Sequence, residues 1–193
     1  YGRSVIVEKY ITGFDFRILV INYKFICAAL RTPASVVGDG KNTIQYLLDE
    51  VNKDPRRSYR QKKVLTQITI DDFTKIMLDE KGYTLETIPA KDELVLLKPT
   101  ANLSTGGTST DVTDEVHPAN IMMCERIAKI IGLDICGIDI MATDLRTPVK
   151  ENGGAILEVN AAPGFRMHID PSVGLPRNVA EPVVDMLFPK GSA

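Results

Sequence analysis

The sequence predicts an α+β fold, an antiparallel meander followed by helices and then by further strands. Three observations carry this. The opening segment alternates β-branched, apolar runs with turn residues; the middle carries apolar residues at helical spacing; the last third returns to strand-like runs without a repeating βαβ alternation. The chain has 193 residues, 44% hydrophobic and 25% charged, with a net charge of −2. That is a globular composition able to bury a core, with no basic excess to draw it to nucleic acid or an anionic membrane. No apolar run approaches the roughly 18 residues of a membrane span; the best candidate, Arg17 to Arg31, is broken by Asn22 and Lys24. The chain shows no signal peptide, opening Tyr1-Gly2-Arg3 straight into a strand-like segment, and a cytoplasmic location is expected. Cys27, Cys124 and Cys136 are scattered through apolar stretches without metal-ligand spacing, so they read as core residues.

Taken in order, Val5–Val7, Arg17–Ile21 and Phe25–Leu30 read as strands. Thr12-Gly13 and Asn22-Tyr23 supply the turns between them. The chain changes character at Thr32-Pro33, and Gly38-Asp39-Gly40 marks a tight turn. Residues 38–92 form a helical, partly basic excursion. Thr43 caps a helix that runs to Val51 with Ile44, Leu47, Leu48 and Val51 on one face. A basic run follows (Lys53, Arg56, Arg57, Arg60, Lys62, Lys63), opposed by Asp54 alone. Asp71 caps a second helix to Lys81, stopped at Gly82, and Leu94–Leu97 is a short strand. Thr100–Thr113 reads as a loop of small and polar residues. Pro118 opens a helix ending at Gly132, with Ile121, Met122, Ile127, Ile130 and Ile131 expected on its buried side. Ile135–Met141 and Ala155–Val159 are strands joined by a polar excursion, Thr143–Gly154. Pro163-Gly164 ends the second strand, and a last helix spans Val179–Leu187. Residues 190–193 read as a linker-like tail after a lobe of residues 1–189.

The strongest chemical constellation is Asp139 with Glu158 and Asn160. Asp139 lies inside an apolar strand, where an unpaired carboxylate is costly. Glu158 and Asn160 are two apart at the end of the next strand and share a face. If the strands pair, two carboxylates and an amide converge, a hard oxygen set that suits Mg²⁺. The alternative, that Asp139 pairs with a core arginine and Glu158 is merely exposed, stays open at this level. Arg31 and Lys98 each end an apolar strand with a cation, suited to a phosphate or oxyanion and equally to solvent. The run Arg56 to Lys63 could grip an acidic polymer, although a solvated face is the commoner explanation. His117, before Pro118, reads as a helix-cap neighbour and not as a base.

Several segments together resemble the ATP-grasp carboxylate–amine ligases. They are Val7-Glu8-Lys9-Tyr10-Ile11-Thr12-Gly13-Phe14-Asp15, Arg31 to Gly40, Asn102 to Thr108, Gly137-Ile138-Asp139, and Glu158-Val159-Asn160-Ala161-Ala162-Pro163-Gly164 running on to His168. They cover nearly the whole chain in the family's order. The resemblance implies the C-terminal lobe of an ATP-grasp unit, an antiparallel sheet with packed helices, using ATP and Mg²⁺. It implies that Glu8 sits by the adenine, that Lys9 to Ile11 meet the ring through the backbone, and that Asp15 holds the ribose. It implies Asp139, Glu158 and Asn160 as metal ligands, and Arg166, His168 and Arg31 as catalytic contacts. Lys98 joins the nucleotide set, and Asn102, Ser104, Thr105, Gly106 and Gly107 lie near the acceptor. An acyl phosphate followed by an amide is the implied chemistry.

Within the family the motifs tilt toward the branch that adds aspartate to a poly-aspartate chain. A glutathione-synthetase-type ligase is the neighbouring alternative, and a non-catalytic nucleotide- or polymer-binding module the more distant one. In this family lysines and a glycine-rich phosphate loop precede the first motif, and Phe188-Pro189-Lys190-Gly191 resembles the approach to a Mur-ligase-like module. The expectation is therefore a piece of a longer synthetase, inactive alone, with partners in ATP, an amino acid, an acidic polymer acceptor and the rest of its own chain; a homo-oligomer is possible.

Overall fold

The turn at Asn22 and Tyr23 fixes the register of the central hairpin. Both residues take left-handed backbone angles, φ 49° and 59°, as a two-residue hairpin turn that follows strand twist requires. The turn joins β1 (Phe14–Ile21) to β2 (Lys24–Thr32), with Asp15 opposite Arg31 and Arg17 opposite Ala29. The computed structural model describes residues 5, 7–58 and 63–189. Ile6 of the expected first strand, Arg60 and Lys62 of the basic run, and the tail 190–193 lie outside the described residues; Val7 is not in a strand.

Between the hairpin and the last strands come β3 (Ser35–Val37), α1 (Ile44–Asn52), β4 (Arg57–Ser58), β5 (Leu65–Thr66), α2 (Asp72–Asp79), β6 (Leu94–Leu96), β7 (Thr108–Asp111) and α3 (Pro118–Ile131). The chain then forms β8 (Ile135–Ala142), β9 (Ala155–Asn160), α4 (Arg166–Ile169) and α5 (Ala180–Leu187). The main sheet runs β7-β2-β1-β8-β9, antiparallel throughout. The α+β class and the antiparallel sheet with packed helices stand as expected. The stretch Thr100–Thr113 is not all loop: β7 pairs with the end of β2, Arg31 opposite Ser109. Its hydroxyl residues suit an edge strand as well as a loop, so composition hides it.

One face of the sheet is apolar along its length. Phe16, Ile18, Val20, Ala28, Cys136, Ile138 and Ile140 pack there with Cys124 and Ala128 of α3. Met122, Ile130 and Ile131 do not join them; Met122 is 67% and Ile130 72% exposed. The stripe that packs is Asn120/Ile121, Cys124 and Ile127/Ala128, at the i, i+3/i+4, i+7/i+8 spacing of one helical face. Small residues in its centre let α3 approach the sheet. The helix caps fall where the sequence puts them. Thr43 accepts from the Tyr46 N–H, Asp71 and Thr74 form a reciprocal cap, and Gly132 closes α3 at φ 78°. His117 is itself the cap of α3, its Nδ1 accepting from the Ala119 N–H. The 38–92 excursion has its own core, with Ile44, Leu48, Ile68 and Leu78 packed against Val36, Val95 and Leu97. All three cysteines are buried and unpaired, and no described helix is long and apolar enough to cross a membrane.

Candidate active site

The second face of the sheet changes character halfway along. At one end Leu19, Ile21 and Cys27 are covered by Val179 and the start of α5. At the other, the same alternation presents Asp15 and Arg17 on β1, Arg31 on β2, Asp139 on β8, and Glu158 and Asn160 on β9. Cross-strand register does the gathering: Asp139 faces Arg17 on one side and Glu158 on the other, neighbours at the usual 4.5–5.5 Å between Cβ atoms, order of magnitude.

Asp139 is 4% exposed and well satisfied. Arg17 binds it through both Nε and Nη2, the latter at 3.1 Å, and Arg31 Nη2 donates to the same Oδ2 at 2.9 Å. Arg31 also grips Asp15, with Nε at 2.8 Å and Nη2 at 2.5 Å. Two cations and two carboxylates thus form one part-buried network. Burial raises the Asp15 pKa, and the Arg31 contacts only partly offset it. Arg17 fits because Gly137 has no side chain: a Cβ there would lie 3.0 Å from Arg17 Nη1 and 2.9 Å from Pro163 Cβ. Asn160 Nδ2 donates to Glu158 Oε1 at 3.0 Å, which leaves its own Oδ1 available as a ligand oxygen.

Except for Asn160, which is not among its lining residues, these groups floor a cleft of about 880 Å³. Asp15, Arg17, Arg31, Asp139, Glu158 and Asn102 line it, together with Tyr10 and apolar residues that include Met141 and Leu157. A bulge falls where β9 passes Asp139 and Ile140. The extra residue, Leu157, comes to the cleft beside Glu158, as bulges re-aim side chains. Among the described residues no cluster of three or more His, Cys, Asp or Glu is built for a metal; the candidate set here is two acids and an amide. Its oxygens fit Mg²⁺ in kind, and one lone pair of Asp139 Oδ1 is not taken by the arginines.

Other expected residues lie elsewhere. Glu8 and Lys9 are exposed and Ile11 half-buried, on irregular chain, and none lines the cleft. Lys98 is buried with Nζ 2.6 Å from Asp71 Oδ2 and 3.0 Å from Thr74 Oγ1. It pins the start of α2 and does not face the cleft. The backbone N–H groups of the 102–107 loop are already used: Thr105 and Gly107 donate to the Asn102 carbonyl and Gly106 to the Leu103 carbonyl. Gly106 (φ 98°) packs on Ile68 and Gly107 against the carbonyls of Asn102 and Thr32, while Ser104 and Thr105 are exposed.

Arg166 and His168, two apart, would share a face only on an extended segment. The segment is the helical turn α4, so residues two apart diverge. Arg166 is exposed, with one long bond among the described residues, to the Lys63 carbonyl at 3.4 Å. His168 is 3% exposed and its Nε2 has no partner among the described residues. Burial, then the charge of Arg17, lowers its pKa to about 4, against a smaller opposing pull from Asp111.

Arg17, Met141 and Leu157 were not read as site residues from the sequence. Arg17 carried a signal, since a cation at an inward position of an apolar strand needs a buried acid. The two apolar residues carried none, because a cleft wall and a core look alike in a strand.

No family model matches the chain, but whole-chain relatives do. It is 53% identical over 191 residues to cyanophycin synthetase of Synechocystis sp., covering 99% of this chain and 22% of that protein. It is 55% identical over 190 residues to the cyanophycin synthetase of Crocosphaera subtropica, covering 98% and 22%. The glutathione biosynthesis bifunctional protein of Pasteurella multocida is 36% identical over 190 residues, 97% of this chain and 25% of that one. A crystal structure of a bifunctional glutathione synthetase from Pasteurella multocida superposes with a TM-score of 0.78 at 35% identity, over 93% of this chain and 24% of that one. Fold, motif order and relatives agree: the chain has the fold of an ATP-grasp C-terminal lobe and is similar over nearly its whole length to segments of these ligases. Within them it is similar to a segment of the cyanophycin synthetases, the branch toward which the motifs tilt. It spans about a fifth of the length of those relatives.

Proposed function

We propose that this segment supplies the metal and nucleotide side of an ATP-dependent carboxylate–amine ligase of the cyanophycin-synthetase type, which extends a poly-aspartate chain with aspartate. The observation that carries the proposal is the cross-strand pair Asp139 and Glu158 at the cleft floor, backed by Arg17 and Arg31. Higher identity to the cyanophycin synthetases (53% and 55%) than to the glutathione protein (36%) favours the polymer branch.

In this reading the acceptor's carboxylate oxygen attacks the γ-phosphorus of ATP, ADP leaves, and an acyl phosphate results. The amine of the incoming amino acid then attacks the acyl carbon and phosphate departs, the amine losing a proton. Asp139, Glu158 and Asn160 would hold Mg²⁺, which neutralises phosphate charge during the transfer. Met141 and Leu157 offer an apolar wall to the adenine, and Asp15 is the acceptor for ribose hydroxyls. Arg31 is shared between Asp15 and Asp139, so it can exchange one carboxylate for an anionic substrate without being left unpaired. A planar guanidinium donating in two directions suits a phosphate or a tetrahedral oxyanion. Arg166, exposed on α4, would be the residue of that turn to meet the acceptor, while the buried His168 would not touch it. Residues 1–189 would act with other parts of a longer chain, and would be inactive alone because positioning contacts to the transferring group are incomplete.

The test is a full-length ligation assay with ATP, Mg²⁺, poly-aspartate acceptor and candidate amino acids, comparing wild type with Glu158→Gln. Glu158 is exposed, so the variant should fold normally. Ligation should fall by roughly 10²–10³-fold, the scale of losing one charge-stabilising group. Near-wild-type ligation at limiting Mg²⁺ would remove Glu158 from the metal set. Ligation of γ-glutamylcysteine to glycine in place of the polymer would move the protein to the glutathione branch. ATP binding without ligation on either substrate would leave a binding module.

A further inference from the structure

Among the described residues two polar side-chain atoms are buried without a partner, Thr66 Oγ1 and His168 Nε2. His168 lies beside the charged rows of the cleft floor. Register puts Asp139, Arg17, Ala29 and Asp111 in one cross-strand row, and Asp15, Arg31 and Ser109 in the next. Residues paired across antiparallel strands share a face, so both rows look the same way. The turn α4 packs on β2 and β7 and is anchored over these rows. Ser109 Oγ donates to the Met167 carbonyl at 3.3 Å, and the Arg177 N–H to the His168 carbonyl at 2.8 Å, while the Arg177 guanidinium holds Asp111. The charges of Arg17, Asp111 and Arg31 all reach the imidazole. Those three surround Ala29, whose methyl group leaves room above the sheet for a ring.

Burial keeps that ring neutral, and a neutral imidazole has one N–H and one lone pair. The guanidinium groups of Arg17 and Arg31 can only donate. Asp111, the acceptor nearby, already takes the Arg177 guanidinium and both the N–H and the hydroxyl of Thr113. The surroundings therefore favour Nε2 as an acceptor. Arg17 has the complementary need. It is buried and hydrogen-bonded to one carboxylate, Asp139, through Nε and Nη2. Asp15 is gripped by Arg31 through Nε and Nη2. A cation on Asp139 competes for the oxygens that Arg17 holds, and a buried guanidinium that loses its acceptor is costly.

We propose that His168 is a positioning residue for the metal site: its Nε2 is the second acceptor for Arg17, taking one guanidinium N–H when Asp139 engages a cation. The buried charge then stays paired while the carboxylate is released to its ligand. His168 acts through Arg17 and touches neither metal nor substrate. The role rests on the metal reading of Asp139 above.

The test is calorimetry on the full-length protein with a non-hydrolysable imido analogue of ATP, once with Mg²⁺ and once with EDTA. The ratio of the two affinities is the gain due to the metal. His168→Leu removes the lone pair at similar volume, and His168→Gln restores an acceptor oxygen. Melting temperatures without metal check that each variant is folded, and His168→Phe takes the place of a destabilised leucine variant. His168→Leu should lower the Mg²⁺-dependent gain about tenfold, the scale for losing a group that supports a metal ligand. Affinity in EDTA should not move, and His168→Gln should recover most of the gain. In an Arg17→Met background His168→Leu should change the gain by less than about twofold, because the two residues act as one unit. An undiminished gain in His168→Leu would overturn the role and leave the metal reading in place. Equal losses with and without Arg17 would overturn it too, since His168 would then act by another route. Equal losses in the leucine and glutamine variants would reduce His168 to packing. A wild type whose affinity does not respond to Mg²⁺ would remove the metal reading of Asp139, and this role with it.

Discussion

The two ends of one sheet face share strands, alternation and neighbours, yet one is dry and the other charged. On β1, Leu19 and Ile21 meet Cys27 and the cover of Val179; two and four residues earlier, Arg17 and Asp15 meet Asp139 and Arg31. The apolar end is stabilised by burial, roughly 1.5–3 kcal/mol for each large side chain. The charged end has no such surplus, because burying ions costs about as much as pairing them returns. It persists because each buried charge has a fixed partner. The contrast teaches that removing one side chain has a different meaning at each end: a cavity at one, an orphaned charge at the other.

The sharpest way to break that contrast is Asp139→Leu. It leaves Arg17 buried with no acid, and should lower unfolding stability by about 3–5 kcal/mol, measured by urea denaturation. Arg17→Met combined with Asp139→Leu should recover most of this loss, since Arg31 retains Asp15. A double variant no more stable than Asp139→Leu alone would mean that the arginine pairing is not what the acid contributes. Leu19→Ala at the dry end should cost about 2–5 kcal/mol with no partner substitution able to restore it.

Much of this contrast was legible in the sequence, and what was missed has physical causes. Capping residues and turn glycines act locally, so Thr43, Asp71, Gly132 and the Asn22-Tyr23 turn fell where expected. Asp139 stood out because an acid inside Gly137-Ile138-Asp139-Ile140 needs a reason. Its partners did not, because Arg17 meets Asp139 only through strand order, which no local pattern encodes. Lys98 looked like a cleft cation, yet it turns to Asp71, more than twenty residues earlier in the chain. The 102–107 loop was expected near the acceptor, but composition could not show that its N–H groups are spent on its own carbonyls. α4 escaped because a single turn is too short to show a period.

Between the two ends lies His168, and it tests how far the charged end tolerates one more cation. In the unfolded chain its imidazole titrates near 6.5, whereas in the fold burial and Arg17 keep it neutral down to about 4. Between those values the unfolded chain holds the extra proton. Stability therefore falls as pH drops through that window, by about 2 kcal/mol from pH 7 to pH 5. His168→Gln should flatten this part of the stability–pH profile measured by denaturant midpoints. A slope unchanged in the variant would place the acid sensitivity in the carboxylates and not in His168.

Arg166, on the same turn as His168, sharpens the comparison at its smallest scale, because it is exposed where His168 is buried. Its one bond among the described residues, to the Lys63 carbonyl at 3.4 Å, is long and contributes little, so Arg166→Lys should move stability by no more than a few tenths of a kcal/mol. The change keeps the charge and gives up the planar fork that engages a carboxylate through two N–H groups. If Arg166 grips the acceptor, kcat/KM for the polymer in the full-length protein should fall roughly tenfold, a loss of about 1.4 kcal/mol, while the KM for ATP stays in place. A matched fall in the ATP and polymer constants would point instead to a general disturbance of the cleft through His168. A drop in melting temperature with both constants intact would reduce Arg166 to a brace for the 63–65 segment.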